Sequence, residues 1–228
     1  MDSPRFKAVA DRALLIEFAS VISDAANQAV ITLDQAISAA EIEGVGEVIP
    51  ALVNVLVTFD PLITDHARVE CAVRALFPLR TSNNTHATRH ELAVCYEAGF
   101  SPDLAAVAGA CDLSTEAVIN AHVSSEYHVA MYGFAPGYAY LSGVPEAIQI
   151  PRKPTAVRDV PARSVTIAGP QCLAMALTMP TGWSIIGVTP TFVMQDDAAR
   201  PFLFDVGDTV VFKRIKADEL PADLRAGR

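Results

Sequence analysis

The hydrophobic positions in residues 1–80 follow the pattern of a small α+β unit. Short runs of apolar and β-branched residues, separated by charged residues and turn formers, are typical of strands. They predict four strands, at Lys7–Ala10, Ala13–Phe18, Val48–Ile49 and Val53–Phe59. The stretch between the second and third strands has a different period, which is that of a helix.

Two helices are predicted in the same part of the chain. Apolar residues recur every three or four positions over residues 26–40, which places them on one face of a helix. Ser23 or Asp24 is the predicted N-cap of this helix, since short polar side chains accept hydrogen bonds from the first free N–H groups. A second, shorter helix is predicted to begin at Thr64 or Asp65.

The pattern changes after residue 88 to many short strands separated by glycine and proline. Ser101, which is followed by proline, is predicted to cap a short helix, and Ser114 is predicted to cap another. Strands are predicted at Glu91–Tyr96, Tyr127–Tyr132, Val165–Ala168, Cys172–Leu177, Ser184–Gly187, Phe202–Phe204 and Thr209–Arg214. Many short strands with turn signals are typical of a β-barrel or sandwich. The sequence thus predicts an α+β domain over residues 1–80, a polar linker over 81–88 and a β-rich domain over 89–228.

The charge of the chain argues against two classes of partner. The sequence has 17 Lys and Arg against 26 Asp and Glu, a net charge of −9, which disfavours both nucleic acid and anionic membranes. Mean hydropathy is +0.31. However, the longest uncharged stretch, Ser164–Gln195, is broken by glycines and prolines and is predicted to form strands rather than a membrane span. We therefore expect no nucleic-acid and no membrane partner.

The cysteines and histidines carry little further information on function. The four cysteines form no CxxC pair and lie in apolar contexts, which indicates reduced, buried thiols. No secretory signal is read at the N-terminus, so a cytoplasmic protein is expected. The five histidines show no metal-ligand spacing, and no metal site is predicted. His90 and His122 are candidates for acid–base chemistry, because imidazole titrates near neutral pH.

Three motifs carry a resemblance to a known family. They are YGFAPGYAYL at Tyr132–Leu141, IPRKPTAVRDVPARSV at Ile150–Val165, and the glycine- and proline-punctuated stretch Ala168–Pro190. In this order and spacing the chain resembles the family of the B-type subunit of 5-oxoprolinase, also called allophanate hydrolase subunit 1. The resemblance covers nearly the whole chain.

The resemblance implies a fold, partners and an activity. The fold is an α+β N-terminal domain followed by a cyclophilin-like β-barrel. The partners are a larger homologous carboxyltransferase-type subunit and a TIM-barrel-like third subunit. The chain would then be a non-autonomous subunit of a cyclic-amide hydrolase that opens 5-oxoproline to glutamate, with ATP as the shared cofactor. Two alternatives are open: a binding protein that inhibits a histidine kinase, and the carboxyltransferase half of a biotin-dependent urea or amide carboxylase.

The candidate site residues lie mostly in the three motifs. Arg152 is predicted to hold a carboxylate or phosphate, since a guanidinium binds such groups with two hydrogen bonds. His90 matches a histidine that begins the first strand of the second domain in the family, and it is the second predicted catalytic residue. The predicted binding residues are Gly133, Phe134, Pro136, Gly137, Tyr140, Arg158, Gln171, Trp183 and Thr189. The glycines allow a tight backbone turn that could face a ligand oxygen, and the aromatic side chains could form a pocket wall.

Several positions depart from the family pattern. Val157 and Val188 stand where the family usually has arginine, so Arg158 or Arg163 would have to supply the missing charge. The stretch Gly182–Thr189 has the glycine spacing of a phosphate loop but lacks its lysine. An ATP site is therefore expected on a partner subunit or across an interface.

Overall fold

The computed structural model describes residues 3–79 and 87–226. These residues form two compact units, Met1–His86 and Ala87–Arg228. Residues 81–86 of the predicted linker lie outside the described residues. Residues 87 and 88 lead directly into the first strand of the second unit.

The first unit is a four-stranded antiparallel sheet with two helices. The strands lie in the order β1-β2-β4-β3. They are β1 (Arg5–Val9), β2 (Ala13–Glu17), β3 (Val45–Pro50) and β4 (Asn54–Phe59), and the helices are α1 (Asp24–Ala40) and α2 (His66–Arg74). Ser23 and Asp65 are the N-caps, and their side chains accept hydrogen bonds from the N–H groups of Ala26 and Arg68. The two predicted helices are thus confirmed.

The apolar face of α1 explains why this unit folds. Val30, Leu33 and Ile37 recur along one face of α1 and are fully buried against the sheet residues Val55 and Val57. The apolar residues of α1 recur with the period of a helix, and those of β4 alternate along the strand. Each set therefore lies on one face of its element, and the two faces pack together in one core.

Asp34 on α1 carries a half-buried carboxyl. Burial raises the pKa of this carboxyl from 3.8 to about 6. The folded unit therefore binds the proton more tightly than the unfolded chain does. The resulting stability is present below pH 3.8 and is lost as the pH rises through about 6.

We therefore expect Asp34→Asn to stabilise the first unit above about pH 6 and to give no gain below about pH 4. All tyrosines and the single tryptophan lie outside this unit. For that reason, hydrogen exchange of the α1 amides, read by mass spectrometry, is the appropriate measurement. Asp24→Asn on the same helix is the control, and equal gains at both pH values would contradict the expectation.

The second unit is a closed seven-stranded barrel with a two-stranded sheet beside it. The barrel order is β10-β7-β6-β13-β5-β12-β9, and the small sheet pairs β11 with β8. The strands are β5 (Arg89–Cys95), β6 (Glu126–Tyr132), β7 (Ala139–Ser142), β8 (Val157–Val160), β9 (Ser164–Ala168), β10 (Gln171–Ala174), β11 (Met179–Thr181), β12 (Ser184–Val188) and β13 (Thr209–Ile215). The helices are α3 (Leu104–Ala110), α4 (Thr115–Val123) and α5 (Ala222–Ala226), with 3-10 turns at Glu146–Ile148 and Ala217–Glu219. The predicted fold class, an α+β domain followed by a β-barrel, is confirmed.

The uncharged stretch noted in the sequence becomes the most buried part of this barrel. Every residue of β9 and of β12 is buried. Strands that are buried on both faces have continuous apolar sequences, and these two strands contribute to the positive mean hydropathy of the chain. Among the described residues, no helix is both long enough and apolar enough to cross a bilayer.

Two details of the predicted elements are wrong. Phe202–Phe204 is not a strand, because Phe202 makes a single isolated bridge to Met194 and the chain around it follows a loop. Ser101 does not cap α3. Its hydroxyl donates instead to the carbonyl oxygens of Tyr96 and Glu97, and the N-cap position is taken by Asp103. At Ser101, hydrogen bonds to the preceding turn thus take the hydroxyl that the pattern assigns to the helix N-terminus.

Candidate functional site

A cleft of about 250 Å³ opens beside β7 and β11. We call it the aromatic cleft, because four rings contribute to its wall. Its lining residues are Phe134, Tyr138, Tyr140, Arg152, Lys153, Ala156, Pro180, Thr181, Gly182 and Trp183. Four of the predicted site residues, Phe134, Tyr140, Arg152 and Trp183, are thereby brought together from three separate motifs.

The four rings form a continuous apolar wall. Phe134 lies 5.4 Å from Tyr138, Tyr138 lies 5.6 Å from Tyr140, and Tyr140 lies 5.8 Å from Trp183, measured between ring centroids. Each pair meets edge to face, which is a favoured arrangement of aromatic rings. Tyr138 and Trp183 are buried, so the wall is rooted in the core of the unit. Such a wall suits the face of a small ring.

Arg152 supplies positive charge at the edge of this wall. Its guanidinium carbon lies 5.6 Å from the centroid of the Trp183 ring, and its side chain is exposed. Within residues 3–79 and 87–226, no carboxylate forms an ion pair with it. A guanidinium held over an aromatic face keeps its hydrogen-bond donors directed outward, where a carboxylate or phosphate can accept them.

Lys153 is the second cation of the cleft, and sequence reasoning missed it. Its Nζ atom lies 2.6 Å from Oδ2 of Asp103, and both side chains are largely buried. Its backbone N–H donates to the carbonyl oxygen of Gly182 at 2.7 Å. One feature of the sequence could have indicated Lys153: it directly follows Arg152, and the two residues lie between two prolines.

Tyr138 and Thr181 form the polar part of the wall. Burial raises the pKa of the Tyr138 hydroxyl, and the two side chains share a hydrogen bond. Thr181 Oγ1 also accepts a hydrogen bond from the backbone N–H of Trp183 at 3.1 Å. Tyr138 is therefore a neutral hydroxyl at physiological pH.

The loop between β6 and β7 carries the glycines predicted to face a ligand. Gly137 has a φ of +72°, and a Cβ there would lie 2.7 Å from Met194 Sδ, so glycine is required. Backbone N–H groups within the loop, those of Gly133, Ala135 and Tyr138, donate to other carbonyl oxygens of the loop. These donors hold the turn in shape and are not free to bind a ligand oxygen.

Phe134 stands at the tip of this loop. Its φ is +70°, in the left-handed region that non-glycine residues avoid, and it is 76% exposed. Pro136 beside it is also exposed. A strained and exposed phenylalanine at the rim of a cleft is suited to contact a ligand or a second protein.

His90, the other predicted catalytic residue, lies at a different place. It lines a second cleft of about 270 Å³, together with Thr88, Gln195, Asp197, Arg200, Phe202 and Leu203. This cleft shares no lining residue with the aromatic cleft among the described residues. The structure therefore does not bring His90 and Arg152 to one site.

A buried carboxylate holds His90 in place. Asp208 is 1% exposed, and its Oδ2 atom lies 2.8 Å from His90 Nε2. The same carboxylate accepts hydrogen bonds from the backbone N–H groups of Thr88 at 2.7 Å and of Asp205 at 2.9 Å. Asp208 thus joins the start of β5 to the loop before β13, and His90 is part of this joint.

The remaining predicted binding residues lie outside both clefts. Gln171 begins β10 opposite Ser142. Thr189 is fully buried, and its hydroxyl accepts a hydrogen bond from the N–H of Thr191. Arg158 is exposed on β8. These residues support the barrel or face solvent outside the cleft lining.

The arginines that could replace the missing family charges do not enter the aromatic cleft. Arg163 pairs with Asp223 on α5 and lies over the Phe192 ring. Val188 is fully buried and packs in a cluster with Leu224. Val157 is exposed on β8. Arg152 and Lys153 are therefore the charged residues that line the described cleft.

The stretch with phosphate-loop spacing does not fit a nucleotide. Residues Ser184–Val188 form β12 and are buried in the barrel wall. A Cβ at Gly187 would lie 2.7 Å from a methyl group of Val94 and 2.8 Å from the carbonyl oxygen of Cys95, so this glycine serves strand packing. The described residues thus offer no phosphate loop here for ATP.

His122 is a core residue rather than an acid or base in a cleft. It is fully buried, and burial lowers its pKa from 6.5 to about 3. Its Nδ1 atom lies 2.7 Å from the hydroxyl of Tyr96. Burial also raises the pKa of that hydroxyl, so Tyr96 stays neutral and shares a hydrogen bond with Nδ1. The other ring nitrogen, Nε2, lies 3.5 Å from Cys172 Sγ.

The residues that the structure describes hold no group of three or more His, Cys, Asp or Glu side chains arranged to bind a metal ion.

Three curated proteins resemble this chain in sequence, and each is the B-type subunit of a 5-oxoprolinase. That of Bacillus subtilis (strain 168) is 42% identical over 132 residues, which are 58% of this chain and 55% of that protein. The protein of the same name from Escherichia coli O157:H7 is 41% identical over 54% of this chain and 56% of its own length. The protein from Haemophilus influenzae is 38% identical over 54% of this chain and 59% of its own length. The chain spans about half the length of the curated relatives that it matches.

Solved structures extend the likeness to nearly the whole chain. TTHA0988 has a TM-score of 0.81 at 30% identity and covers 92% of this chain, which corresponds to 41% of its own. The conserved uncharacterized protein PH0987 from Pyrococcus horikoshii has a TM-score of 0.56 at 35% identity, over 94% of this chain and 99% of its own. The urea amidolyase of K. lactis, with a TM-score of 0.76 at 17% identity over 95% of this chain and 15% of its own, shares the fold.

The family comparison agrees with these likenesses and with the resemblance carried by the three motifs. The model of the carboxyltransferase domain, subdomain C and D, matches residues 4–204, which extend across both units and include the aromatic cleft. The chain therefore belongs to the family of the carboxyltransferase domain, subdomain C and D.

Proposed function

We propose that the chain is a component of a 5-oxoprolinase-type enzyme, which opens the cyclic amide 5-oxoproline to glutamate at the expense of ATP. The curated relatives at 38–42% identity carry the name of the B-type 5-oxoprolinase subunit. The role proposed for this chain is to bind the ring and its carboxylate in the aromatic cleft.

One observation carries the assignment of the ligand to this cleft. Arg152 stands over Trp183 at the end of a wall of rings, with no acidic partner in residues 3–79 and 87–226. 5-Oxoproline is a small five-membered ring with a planar amide and one carboxylate. Its ring matches the aromatic wall, and its carboxylate matches the guanidinium.

The other groups of the cleft fit the polar part of such a ring. Tyr138 and Thr181 are neutral hydroxyls, which can pair with an amide N–H or carbonyl without a charge penalty. Apolar walls exclude water from the ring and so strengthen these hydrogen bonds. In the reaction, the ring C–N bond breaks, water supplies the new carboxylate oxygen, and the ring nitrogen becomes the amine of glutamate.

Arg152 is proposed to bind the ligand. His90 is given no part in proton transfer, because it lines the other cleft. ATP is proposed to bind on partner subunits, because the described residues offer it no phosphate loop. The proposed partners are a larger homologous subunit of carboxyltransferase type and a third, TIM-barrel-like subunit. In TTHA0988, the part that resembles this chain is 41% of a longer polypeptide, which supports association with further domains.

The test is the ATP turnover of the complex. The tagged chain is purified with its partners from its host, and ATP hydrolysis is measured with and without 5-oxoproline. Arg152→Ala is expected to raise the KM for 5-oxoproline by about tenfold to a hundredfold, because a charged hydrogen bond contributes about 1.5–3 kcal/mol. Arg152→Lys is expected to recover part of the loss.

Arg158→Ala is the matched control, since Arg158 is exposed on β8 and does not line the aromatic cleft. Its KM should equal that of the unaltered complex. ATP hydrolysis that does not respond to 5-oxoproline would refute the proposed activity. A normal KM in Arg152→Ala would refute the assignment of the ligand to this cleft.

A further inference from the structure

We propose that Asp103 determines which anions the aromatic cleft accepts, by holding the ammonium group of Lys153 away from the ligand. This inference rests on the proposed function, because it concerns how the same cleft separates the cyclic substrate from dicarboxylates such as its ring-opened product. Asp103 is then a positioning residue, which acts through Lys153.

The contacts of Asp103 differ from those expected of an acidic residue before a helix. It takes the N-cap position of α3, yet its side chain makes no capping hydrogen bond. Instead, its Oδ2 atom accepts from Lys153 Nζ at 2.6 Å and from the backbone N–H of Ile185 at 2.7 Å. The N–H of Asp103 in turn donates to the carbonyl oxygen of Ile185 at 3.0 Å. The carboxylate is therefore fixed to β12.

Lys153 is held at both of its ends. Its backbone N–H donates to the carbonyl oxygen of Gly182, the neighbour of Trp183. Its ammonium is held by Asp103, and the side chain is 23% exposed. Lys153 lines the aromatic cleft, whereas Asp103 does not belong to the described lining. Lys153 is thus close enough to contact a ligand in the cleft, but its ammonium group is already paired with Asp103, which lies outside the cleft lining.

The charges of these three residues determine what the cleft can hold. Arg152 and Lys153 contribute two positive charges, and Asp103 contributes one negative charge. One positive charge therefore faces the ligand, on the guanidinium of Arg152. A ring with a single carboxylate satisfies it. A second carboxylate on the ligand could be bound only if Lys153 left its partly buried ion pair with Asp103. Otherwise that carboxylate would lie near the negative charge of Asp103 without a cation to pair with it.

Two substitutions separate this role from a structural one. In Asp103→Asn the side-chain oxygen still accepts from Ile185, so the tie to β12 is retained while the charge is removed. Lys153 is then free to bind a second carboxylate. In Asp103→Asn with Lys153→Met, that second cation is absent again. Asp197→Asn removes the same charge from an exposed position on the other cleft and serves as the matched control.

The experiment measures the binding of two probes to the full chain, 5-oxoproline and the dicarboxylate glutarate. Trp183 is the single tryptophan of the sequence and lies in the cleft, so its fluorescence reports binding there. We expect the unaltered chain to prefer 5-oxoproline. We expect Asp103→Asn to reduce this preference about tenfold and the double variant to restore it, because one charged hydrogen bond is gained and then lost.

The outcomes distinguish this inference from the proposed function. If the unaltered chain binds 5-oxoproline but Asp103→Asn leaves the preference unchanged, the inference is overturned and the proposed function stands. A reduced preference that persists in the double variant also overturns it, because Lys153 would then have no part in the effect. If 5-oxoproline does not alter the fluorescence of the unaltered chain at millimolar concentration, the ligand assignment and the inference both fail.

Discussion

Replacement of Asp208 by alanine is expected to lower the free energy of unfolding of the second unit by about 3 kcal/mol, since each buried donor left without an acceptor costs about 1–3 kcal/mol. The Asp208 carboxylate is 2% exposed and is the acceptor for His90 Nε2 and for the backbone N–H groups of Thr88 and Asp205. These groups hold the start of β5 beside the loop that leads to β13. Loss of the carboxylate therefore weakens the joint between two parallel strands of the barrel.

Urea unfolding followed by tryptophan fluorescence is the measurement. Trp183 and all five tyrosines lie in the second unit, so the signal reports that unit selectively. Asp205→Ala in the same loop is the control. Its side chain is 71% exposed and pairs with Arg200, and such surface pairs contribute little. A loss below about 1 kcal/mol in Asp208→Ala would show that water replaces the carboxylate, contrary to the expectation.

The second unit is expected to lose stability steeply in acid because of His122. The pKa of His122 is about 3 in the folded unit and 6.5 in the reference state, so between these values the unfolded chain binds a proton that the folded unit does not. The contribution of His122 is complete above pH 6.5 and is lost as the pH falls towards about 3. One proton corresponds to about 1.4 kcal/mol per pH unit, or about 3 kcal/mol over about two pH units below 6.5.

Carboxylates also change the free energy of unfolding with pH. The contribution of His122 is therefore measured as the difference in the pH dependence of that free energy between a His122 variant and the unaltered chain. In His122→Asn, the amide oxygen can still accept from the Tyr96 hydroxyl, while the titration is removed. Its free energy of unfolding should therefore fall less steeply with acid than that of the unaltered chain. His128→Asn, at an exposed position on β6, is the matched control. Equal slopes in His122→Asn and the unaltered chain would contradict the assignment.

The elements that depend on local physics were predictable. Helix α1 has an apolar stripe of helical period and an N-cap at Ser23, and both operate within a few residues. The barrel strands of the uncharged stretch were recognisable from their punctuation by glycine and proline. Strands β7, β8 and β11 were missed. Each is only three or four residues long, and such a short segment carries little apolar pattern of its own.

The candidate site was predictable in part. Phe134, Tyr140, Arg152 and Trp183 were identified from motifs, and the barrel brings them to one cleft. His90 was grouped with Arg152 as a catalytic residue, but it faces a second cleft. The motifs identify which residues are unusual, whereas the distance between two motifs depends on the strand order of the closed barrel.

Asp103 shows the limit most clearly. An aspartate directly before a short helix is typical of an N-cap. The neighbouring residues do not indicate that its carboxylate pairs with Lys153, which lies 50 residues later in the sequence. By itself the sequence determined the barrel class and the family, and it identified Arg152 and the aromatic residues as candidates, because composition, period and motif are local properties. The tertiary structure alone decided which charges meet and which are free, because an ion pair forms between groups that only folding brings within a few ångströms.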